Sequence, residues 1–472
     1  MNQYLPFTVQ DILTATGGEL LFGDQTNVFG GVSIDSRKIN KEEFFIAIVG
    51  EAHDGHDFIR DIIQKDVRGF IIDKKHSRKL TSSDGKDKRR VFIAVDDTTK
   101  ALGKLATFQR KRSGVRLIAV TGSSGKTTTR SLISSVMEQK FSTLSTVGNY
   151  NNEIGLPLTL LRLQKCHEWA VVELGMNHIG EIRDLARICL PDIGVITNIG
   201  PAHLEGLGSI EGVMQAKGEL LSEINPGGTA VLNADDPRIV TLSENTGVNV
   251  LFYGISEKAA VRGTSFQQKG NRIRFTLILP DAEIPVDFEA CGDFMVSNSL
   301  AAAASGYLAG LPAEAVKEGI EKFRPIKGRM NIHRLKTGIN LIDDTYNANP
   351  DSVKSAIRSL TSIKGGARGF LVLGDMFELG EYSEEMHKKI GEFVAESGIS
   401  RLYATGRFSE SVAEGAHSKG MNQSSIFTGS RKEMLAHLRK SLEPGDWVLV
   451  KGSRSMKMEE IVEELTEEFL QS

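Results

Sequence analysis

Cysteine is scarce in this chain, and no long uncharged apolar run occurs. The 472 residues include three cysteines, Cys166, Cys189 and Cys291. Their odd number and lack of metal-ligand spacing argue against a disulfide framework and indicate reduced thiols. No apolar run approaches the roughly 20 residues that a membrane-spanning helix needs. The first residues lack the basic start and apolar centre of a secretion signal, so we expect a cytoplasmic protein without stable membrane insertion.

A surplus of charge of either sign is also missing. Lys and Arg number 57 and Asp and Glu number 60, for a formal net charge of −3. There is therefore no electrostatic reason to expect nucleic acid or an anionic membrane as a partner. A hydrophobic content of 40% is typical of globular proteins. A chain of this length is too long for one core, and the prior is two to four domains.

Two breaks in the pattern predict an α/β protein of three domains. Residues 1–112 form a small mixed α/β domain, which ends at Ser113 and Gly114 after a helical stretch. Strand-like and helix-like segments alternate over 113–328, which predicts a mostly parallel sheet like that of phosphate-loop nucleotide hydrolases. The alternation resumes over 329–472 and predicts a Rossmann-like domain with functional loops at the carboxyl ends of its strands.

The stretch IAVTGSSGKTTTR, residues 118–130, joins an apolar strand to a polar helix. Its glycines allow a tight turn whose N–H groups face phosphate oxygens, at the positive end of the helix dipole. Lys126 would reach the outer phosphates and the Thr127 hydroxyl would bind Mg²⁺. Val120 replaces one glycine of the usual pattern. The predicted ATP-binding residues of the loop are Gly122, Ser123, Ser124, Gly125, Lys126, Thr127 and Thr128.

A phosphate loop alone is compatible with a hydrolase, a kinase, a motor or a ligase, and the decision depends on motifs elsewhere. Six of them follow in order: GNYNNEIGLP (148–157), ELGMNHIGEI (173–182), NIGPAHLEGLGSIEGVMQAKGEL (198–220), DDTYNANPDS (343–352), VLGDMFELG (372–380) and VKGSRSMKMEE (450–460). Together they resemble the Mur ligases of peptidoglycan synthesis. The resemblance runs nearly end to end and includes DSRKI and IVGEAHDGHDF in the first domain.

The resemblance implies an ATP-dependent ligase that forms a peptide bond through an acyl phosphate. The motifs are most similar to those of the family step that joins D-Ala-D-Ala to UDP-MurNAc-tripeptide, giving UDP-MurNAc-pentapeptide, ADP and phosphate. By the same resemblance, 1–112 binds the UDP-sugar, 113–328 binds ATP, and two Mg²⁺ ions take part. We expect a monomer with these small-molecule substrates and no nucleic acid.

The resemblance also assigns catalytic roles to Lys126, Glu173, His203 and Lys217. Glu173 matches a Mg²⁺ ligand opposite Thr127, and His203 matches a ligand of the second ion, although Mg²⁺ prefers oxygen. Lys217 matches the family lysine that carries a carbamate, whose oxygens can bind metal as an ammonium cannot. Judged without the motifs, the alternatives are a solvated strand-end carboxylate for Glu173, a structural or exposed loop histidine for His203, and a solvated helix lysine for Lys217.

Further residues are assigned by position in the motifs. Asn298, Arg329 and Asp344 match nucleotide contacts, but the family's His-Asn pair is replaced by Phe294 and Met295, which puts base contacts in doubt. The predicted substrate-binding residues, for which turn structure is the alternative, are Ser36, Arg37, Asn151, Asn152, Asn347, Asn349, Lys451, Ser453 and Arg454. Asp375, Glu378 and His387 also match family positions, with substrate contact and loop support both open.

Three other functions compete with this interpretation. One is the preceding family member, which adds the third amino acid, but no Asp-Asn-Pro-Arg motif is present. Another is a phosphate-loop ATPase that acts as a switch, which would not need Glu173, His203 and Lys217 together. A catalytically impaired relative is the third, suggested only by Phe294 and Met295. The sequence leaves open whether the tripeptide ends in diaminopimelate or lysine.

Overall fold

The computed structural model describes residues 5–79, 87, 89–244 and 246–471. Within these residues, three main sheets follow one another along the chain, and helices pack on them. This α/β architecture confirms the predicted fold class. The domain boundaries at 112/113 and 328/329 stay predictions, although the helix that precedes the first one ends at Ser113, with Gly114 in the left-handed conformation (φ 66°).

The first sheet is mixed. The strands of this part are β1 (Phe7–Thr8), β2 (Glu19–Phe22), β3 (Val28–Phe29), β4 (Gly31–Ser33), β5 (Glu43–Ile46), β6 (Gly69–Asp73) and β7 (Val91–Val95). Its helices are α1 (Val9–Thr16), α2 (Ile59–Gln64) and α3 (Thr98–Ser113). Strands β4 to β7 run parallel, β2 pairs antiparallel with β7, and β1 pairs with β3 apart from them. The β6 and β7 side chains are almost all buried, which explains their unbroken apolar sequences.

The central sheet carries the phosphate loop. Its strands are β8 (Arg116–Thr121), β9 (Thr143–Ser145), β10 (Trp169–Glu173), β11 (Ile193–Ile196), β12 (Thr229–Asn233), β13 (Asn249–Gly254), β14 (Val261–Lys269), β15 (Arg272–Leu279) and β16 (Ala282–Glu289). The helices are α4 (Lys126–Met137), α5 (Gly155–Leu160), α6 (Glu181–Cys189), α7 (Leu204–Leu207), α8 (Ile210–Ser222), α9 (Pro237–Ser243), α10 (Phe294–Leu308) and α11 (Ala313–Lys322). From β9 to β14 the strands are parallel, in the order β9-β10-β8-β11-β12-β13-β14.

An antiparallel extension of this sheet was not predicted. Strands β14, β15 and β16 form a meander at one edge. The alternation of buried and exposed side chains in β15 is the pattern of a strand with one face on the core. The mostly parallel sheet was therefore predicted correctly, but its far edge is antiparallel.

The third sheet is smaller and almost entirely parallel. Its strands are β17 (Asn331–Arg334), β18 (Asn340–Asp344), β19 (Gly369–Leu373), β20 (Arg401–Ala404), β21 (Ile426–Thr428) and β22 (Trp447–Lys451). The helices are α12 (Pro350–Lys364), α13 (Ser383–Glu396), α14 (Ser409–Ser418), α15 (Arg431–Ser441) and α16 (Glu459–Gln471). The order is β17-β18-β22-β19-β20-β21, in which only β17 is antiparallel. Among the described helices, none combines the length and apolarity needed to cross a membrane.

Candidate active site

The loop between β8 and α4 has the backbone of a phosphate-binding turn. Gly125 has φ 78° and directly precedes the first helical residue, Lys126. A Cβ at Gly122 would lie 1.8 Å from Oγ1 of Thr197, so a side chain cannot be accommodated there. The Ser124 N–H donates to Oδ1 of Asn198, 2.8 Å away. The strand-end residues of β11 therefore hold the loop in place, and Asn198 is a supporting residue that sequence reasoning missed.

No carboxylate of the described residues bonds to Lys126, whose side chain folds back over its own loop. Its Nζ donates to the carbonyl oxygen of Gly122 at 2.7 Å. Burial lowers the pKa of Lys126; the charge of Glu173 opposes this shift and that of Arg329 adds to it. The lysine thus lies where its charge is poorly solvated, and a phosphate oxygen would provide the missing counter-charge.

Glu173 ends β10 beside the phosphate loop and is 3% exposed. One oxygen, Oε1, accepts a hydrogen bond from Nδ2 of Asn151 at 2.9 Å. The other, Oε2, is buried without a hydrogen-bond partner. An unpartnered buried carboxylate oxygen is costly unless a cation or donor reaches it, so this atom fits an oxygen-binding metal such as Mg²⁺.

A guanidinium from the third part of the chain bonds to the loop hydroxyl that was predicted to bind Mg²⁺. Nη2 of Arg329 donates to Oγ1 of Thr127 at 2.9 Å, and the guanidinium stacks 4.2 Å above the Tyr346 ring. Nε of Arg329 is buried and unpartnered. In addition, Nδ2 of Asn349 donates to the Ser123 carbonyl oxygen at 3.3 Å. These contacts bring the central and third parts of the chain together over the phosphate loop.

His203 meets a second carboxylate from across the cleft. It lies between β11 and α7 with φ 56°, and its Nδ1 is 2.7 Å from Oε2 of Glu378. The two side chains are in contact, although Nδ1 does not meet the geometry of a hydrogen bond. His203 and, through its charge, Lys126 lower the pKa of Glu378.

Lys217 lies beneath this cluster on α8 and is 1% exposed. Burial holds its pKa well below 10.5, and the nearby charge of Lys126 lowers it further. No hydrogen bond or ion pair joins its amine to another described residue. The solvated-lysine interpretation is therefore wrong for this side chain, which is a buried amine whose pKa is lowered by burial.

The wall built by the third sheet differs, because two of its cationic side chains, Lys451 and Arg454, are already paired with carboxylates. Lys451 donates to Oδ2 of Asp344 at 2.6 Å and to the carbonyl oxygen of Asn347 at 2.9 Å. Arg454 donates to Oε1 of Glu459 at 2.9 Å. The buried Ser453 hydroxyl accepts from the Phe377 N–H at 2.9 Å and holds the neighbouring loop.

The remaining predicted residues have mixed surroundings. Asn298 accepts from the Thr129 hydroxyl at 3.1 Å, and a Cβ at Gly125 would lie 2.8 Å from its Oδ1. Asn152 caps α5 by accepting from the Gly155 N–H at 2.9 Å. Arg37 is 84% exposed and pairs with Asp35. These contacts are local, so a ligand role for Asn152 and Arg37 stays a prediction.

Two histidines and an aspartate form a cluster in the first part of the chain. Nδ1 of His56 is 2.5 Å from Oδ1 of Asp54, and Nε2 of His76 is 3.1 Å from Oδ2. The two imidazoles stack 3.8 Å apart at 12°. A metal lies in the ring plane of a ligating imidazole, and two such nearly parallel planes do not meet at one ion. Glu51, three residues before Asp54, lines the cleft, whereas the three residues of the cluster do not.

Most predicted residues line one cleft of about 940 Å³. Those that line it are Ser123, Ser124, Gly125, Lys126, Thr127, Thr128, Asn151, Asn152, Glu173, His203, Asn298, Arg329, Asp344, Asn347, Asn349, Lys451 and Arg454. Outside the lining are the buried Gly122, Lys217 and Ser453, and Ser36 and Arg37 of the first sheet. Phe294 and Met295 also line the cleft. Tyr346 lines the cleft although sequence reasoning gave it no role, and so does Glu378, for which substrate contact and loop support were both left open.

Comparison with known proteins agrees with this geometry. Family models described as the Mur ligase family catalytic domain, the Mur ligase middle domain and the Mur ligase glutamate ligase domain match residues 28–110, 120–306 and 328–454. The chain belongs to the Mur ligase family, whose members are ATP-dependent ligases that form amide bonds.

Two relatives have the same name. The UDP-N-acetylmuramoyl-tripeptide–D-alanyl-D-alanine ligase of Bacillus subtilis is 34% identical, over 98% of both chains. The Escherichia coli ligase of that name is 33% identical, with the same coverage.

A crystal structure of MurF from Acinetobacter baumannii matches with a TM-score of 0.90 at 30% identity, over 98% of this chain and 100% of the other. MurF from Thermotoga maritima in complex with ADP matches with a TM-score of 0.83 at 27% identity, over 93% and 98%.

Proposed function

We propose that this chain uses ATP to join D-Ala-D-Ala to UDP-MurNAc-tripeptide, giving UDP-MurNAc-pentapeptide, ADP and phosphate. The observation that carries the proposal is the cleft itself. One wall offers a phosphate loop, Lys126 and the unpartnered oxygen of Glu173, and the other is a peptide-sized surface of amides and paired charges. The names of the full-length relatives supply the substrates.

The chemistry balances as two displacements. A carboxylate oxygen of the tripeptide attacks the γ-phosphorus of ATP, and the bond to the ADP oxygen breaks. The dipeptide amine then attacks the acyl carbon, loses a proton, and expels inorganic phosphate. Positioning and charge neutralisation provide most of the catalysis in phosphoryl transfer, because little covalent chemistry is asked of the protein.

The phosphate loop and its neighbours bind the nucleotide. Loop N–H groups and the start of α4 face the phosphates, and Lys126 exchanges the Gly122 carbonyl for a phosphate oxygen. Arg329 releases the Thr127 hydroxyl and turns its guanidinium to the same phosphates, which satisfies the buried Nε. Asn298 supports the turn at Gly125, and Asp344 reaches the nucleotide from the third sheet.

Two Mg²⁺ ions fit the donors that the cleft offers. Oε2 of Glu173 and the Thr127 hydroxyl are suited to one ion, and His203 to the second. When bound, Mg²⁺ neutralises phosphate charge and polarises the transferring group. Lys217 is proposed to carry a carbamate, because burial lowers the pKa of its amine, and the deprotonated amine can attack CO₂, forming a C–N bond and releasing a proton.

The rest of the substrate assignment follows the three sheets. Residues 1–112, including Ser36 and Arg37, bind the UDP-sugar, and Asn151 and Asn152 face the tripeptide end near Glu173. The dipeptide lies along Asn347, Asn349, Lys451, Ser453 and Arg454. We further propose that the protein is a cytoplasmic monomer, in keeping with substrates that are soluble nucleotide and dipeptide.

An omission experiment tests this function. Purified protein is incubated with ATP, Mg²⁺, UDP-MurNAc-tripeptide and D-Ala-D-Ala, and phosphate release is followed with each component left out in turn. We expect phosphate only when all four are present, with a product mass equal to the pentapeptide. Phosphate release that ignores both peptides would contradict the proposal and indicate an ATPase. Using tripeptides that end in diaminopimelate or in lysine identifies the accepted third residue.

A further inference from the structure

Glu378 is a carboxylate in the cleft that forms no ion pair with a lysine or arginine among the described residues. Among the described residues after 328 that line the cleft, the acidic ones are Asp344 and Glu378. Asp344 is 2.6 Å from Nζ of Lys451, and the side chains of that pair are 13% and 3% exposed. The Glu378 side chain is 51% exposed, and in the part of the chain that the structure describes its one charged or titratable contact is the imidazole of His203, without the geometry of a hydrogen bond. It is therefore the free negative charge on this wall of the cleft.

The backbone of Glu378 is in a strained conformation. Glu378 has φ 64°, in the left-handed region that costs a non-glycine residue about 1 kcal/mol. Its carbonyl oxygen accepts from the Glu205 N–H, 3.1 Å away, so the loop after β19 is held against α7. A conformation of this kind persists where the surrounding structure enforces it, and here it fixes the carboxylate at the junction of the two walls.

The position of Glu378 is next to the reacting groups. The charge of Lys126 acts on its carboxylate, and His203 is in direct contact. Under the proposed function, the acyl phosphate forms beside these residues. The incoming amine has to reach the acyl carbon from the third-sheet wall. Near neutral pH an α-amino group is largely an ammonium, with a pKa of about 7.7 to 8.0.

We propose that Glu378 binds the ammonium group of the incoming D-Ala-D-Ala and positions its nitrogen beside the acyl carbon. This inference rests on the proposed function and deepens it. The ammonium gives Glu378 a cationic partner, just as Lys451 is the cationic partner of Asp344. The competing explanation is that Glu378 only links the two walls through His203, in which case ligand charge would not matter.

The test compares two ligands that differ in the ammonium alone. D-Ala-D-Ala and N-propanoyl-D-alanine, which lacks the amino group, are titrated calorimetrically into protein loaded with a non-hydrolysable ATP analogue, Mg²⁺ and UDP-MurNAc-tripeptide. The isosteric variant Glu378→Gln keeps the side-chain shape and the backbone strain. We expect it to weaken D-Ala-D-Ala binding about tenfold to a hundredfold, and N-propanoyl-D-alanine binding less than twofold.

Two further variants make the result specific. Glu381→Gln removes an exposed carboxylate three residues away and should leave both affinities unchanged. Glu378→Asp keeps the charge and should recover part of the dipeptide affinity. Equal weakening of both ligands by Glu378→Gln, or no weakening of either, would overturn the proposal in favour of a structural link.

The proposed function has a separate readout. Phosphate release by the unaltered protein that requires both peptides tests the ligase, and it does not depend on Glu378. In the ligation assay, Glu378→Gln should raise KM for D-Ala-D-Ala while KM for ATP and for UDP-MurNAc-tripeptide changes less than threefold. A KM for ATP that rises as much as that for the dipeptide would contradict the assignment.

Discussion

The two walls of the cleft differ in whether their charged side chains have partners of opposite charge within the protein. On the central-sheet wall, Lys126 bonds only to a backbone carbonyl and Oε2 of Glu173 has no partner. On the third-sheet wall, Asp344 and Lys451 neutralise each other. The first wall is therefore arranged for a charged ligand, whereas the charges of the second mainly hold its own loops together. Substitution of Lys126 or Glu173 should therefore lower activity, whereas breaking the Asp344–Lys451 pair should lower stability.

The largest effect is expected at Lys126. We predict that Lys126→Met lowers kcat about a thousandfold, because the outer phosphates lose their main protein counter-charge. Thermal unfolding of the ligand-free protein should change little, since the amine bonds only to the Gly122 carbonyl. The matched control is Lys111→Met, an exposed site far from the cleft. A large loss of stability in Lys126→Met would break the contrast between the walls.

Lys451 tests the opposite wall. We predict that Lys451→Met lowers the free energy of unfolding by about 3–5 kcal/mol, because it leaves the carboxylate of Asp344 buried without its partner. The double variant Asp344→Asn/Lys451→Met should recover part of this loss, as measured by urea denaturation. Lys388→Met serves as the control, because it breaks an exposed ion pair with Glu414 that is worth about 1 kcal/mol or less. Equal losses at the two lysines would contradict the assignment.

Glu173 provides a second test of the central-sheet wall. We expect Glu173→Gln to reduce kcat about a hundredfold and to raise the Mg²⁺ concentration needed for half-maximal rate. The amide oxygen still accepts from Asn151, and an unpartnered buried charge is lost, so the Mg²⁺-free protein should be at least as stable as its parent. Glu257→Gln, at an exposed position, is the control. Unchanged Mg²⁺ dependence would argue against Glu173 as a metal ligand.

The smallest effect concerns the pH dependence of stability at Lys217. Burial keeps the folded-state pKa well below 10.5. Between the folded and unfolded pKa values the unfolded chain binds more protons, so this residue makes stability rise with pH. In CO₂-free buffer, Lys217→Met should therefore be more stable than its parent at pH 7, with a smaller advantage at pH 9.5. Urea denaturation of both proteins, with Lys111→Met as control, measures it. A difference that is independent of pH would count against a lowered pKa at Lys217.

The sequence predicted the central wall better than the third-sheet wall, and the reason is physical. The phosphate loop and Glu173 are set by local signals: a strand, a glycine turn, and an acid at the end of a neighbouring parallel strand. The Asp344–Lys451 pair joins residues 107 apart, which become neighbours only through the register of β18 against β22. Such a pair cannot be predicted from the spacing of the two residues in the sequence.

Contacts between the central and third parts of the chain were harder still to predict from the sequence. The approach of Glu378 to His203 and of Arg329 to Thr127 depends on how two separately folded sheets lie against each other. Burial of Lys217 also escaped local reasoning, because a lysine on a helix is usually solvated. The fold class and the motif positions could be predicted, but the pairing of charges across the cleft could not.

The most direct test of the central claim is to follow an oxygen atom. UDP-MurNAc-tripeptide labelled with ¹⁸O in the reacting carboxylate is converted with ATP, Mg²⁺ and D-Ala-D-Ala, and the released phosphate is analysed by mass spectrometry. An acyl phosphate predicts one ¹⁸O atom in each phosphate formed, because the carboxylate oxygen leaves with the phosphorus. Phosphate without ¹⁸O, formed alongside pentapeptide or in its absence, would contradict carboxylate activation by this protein.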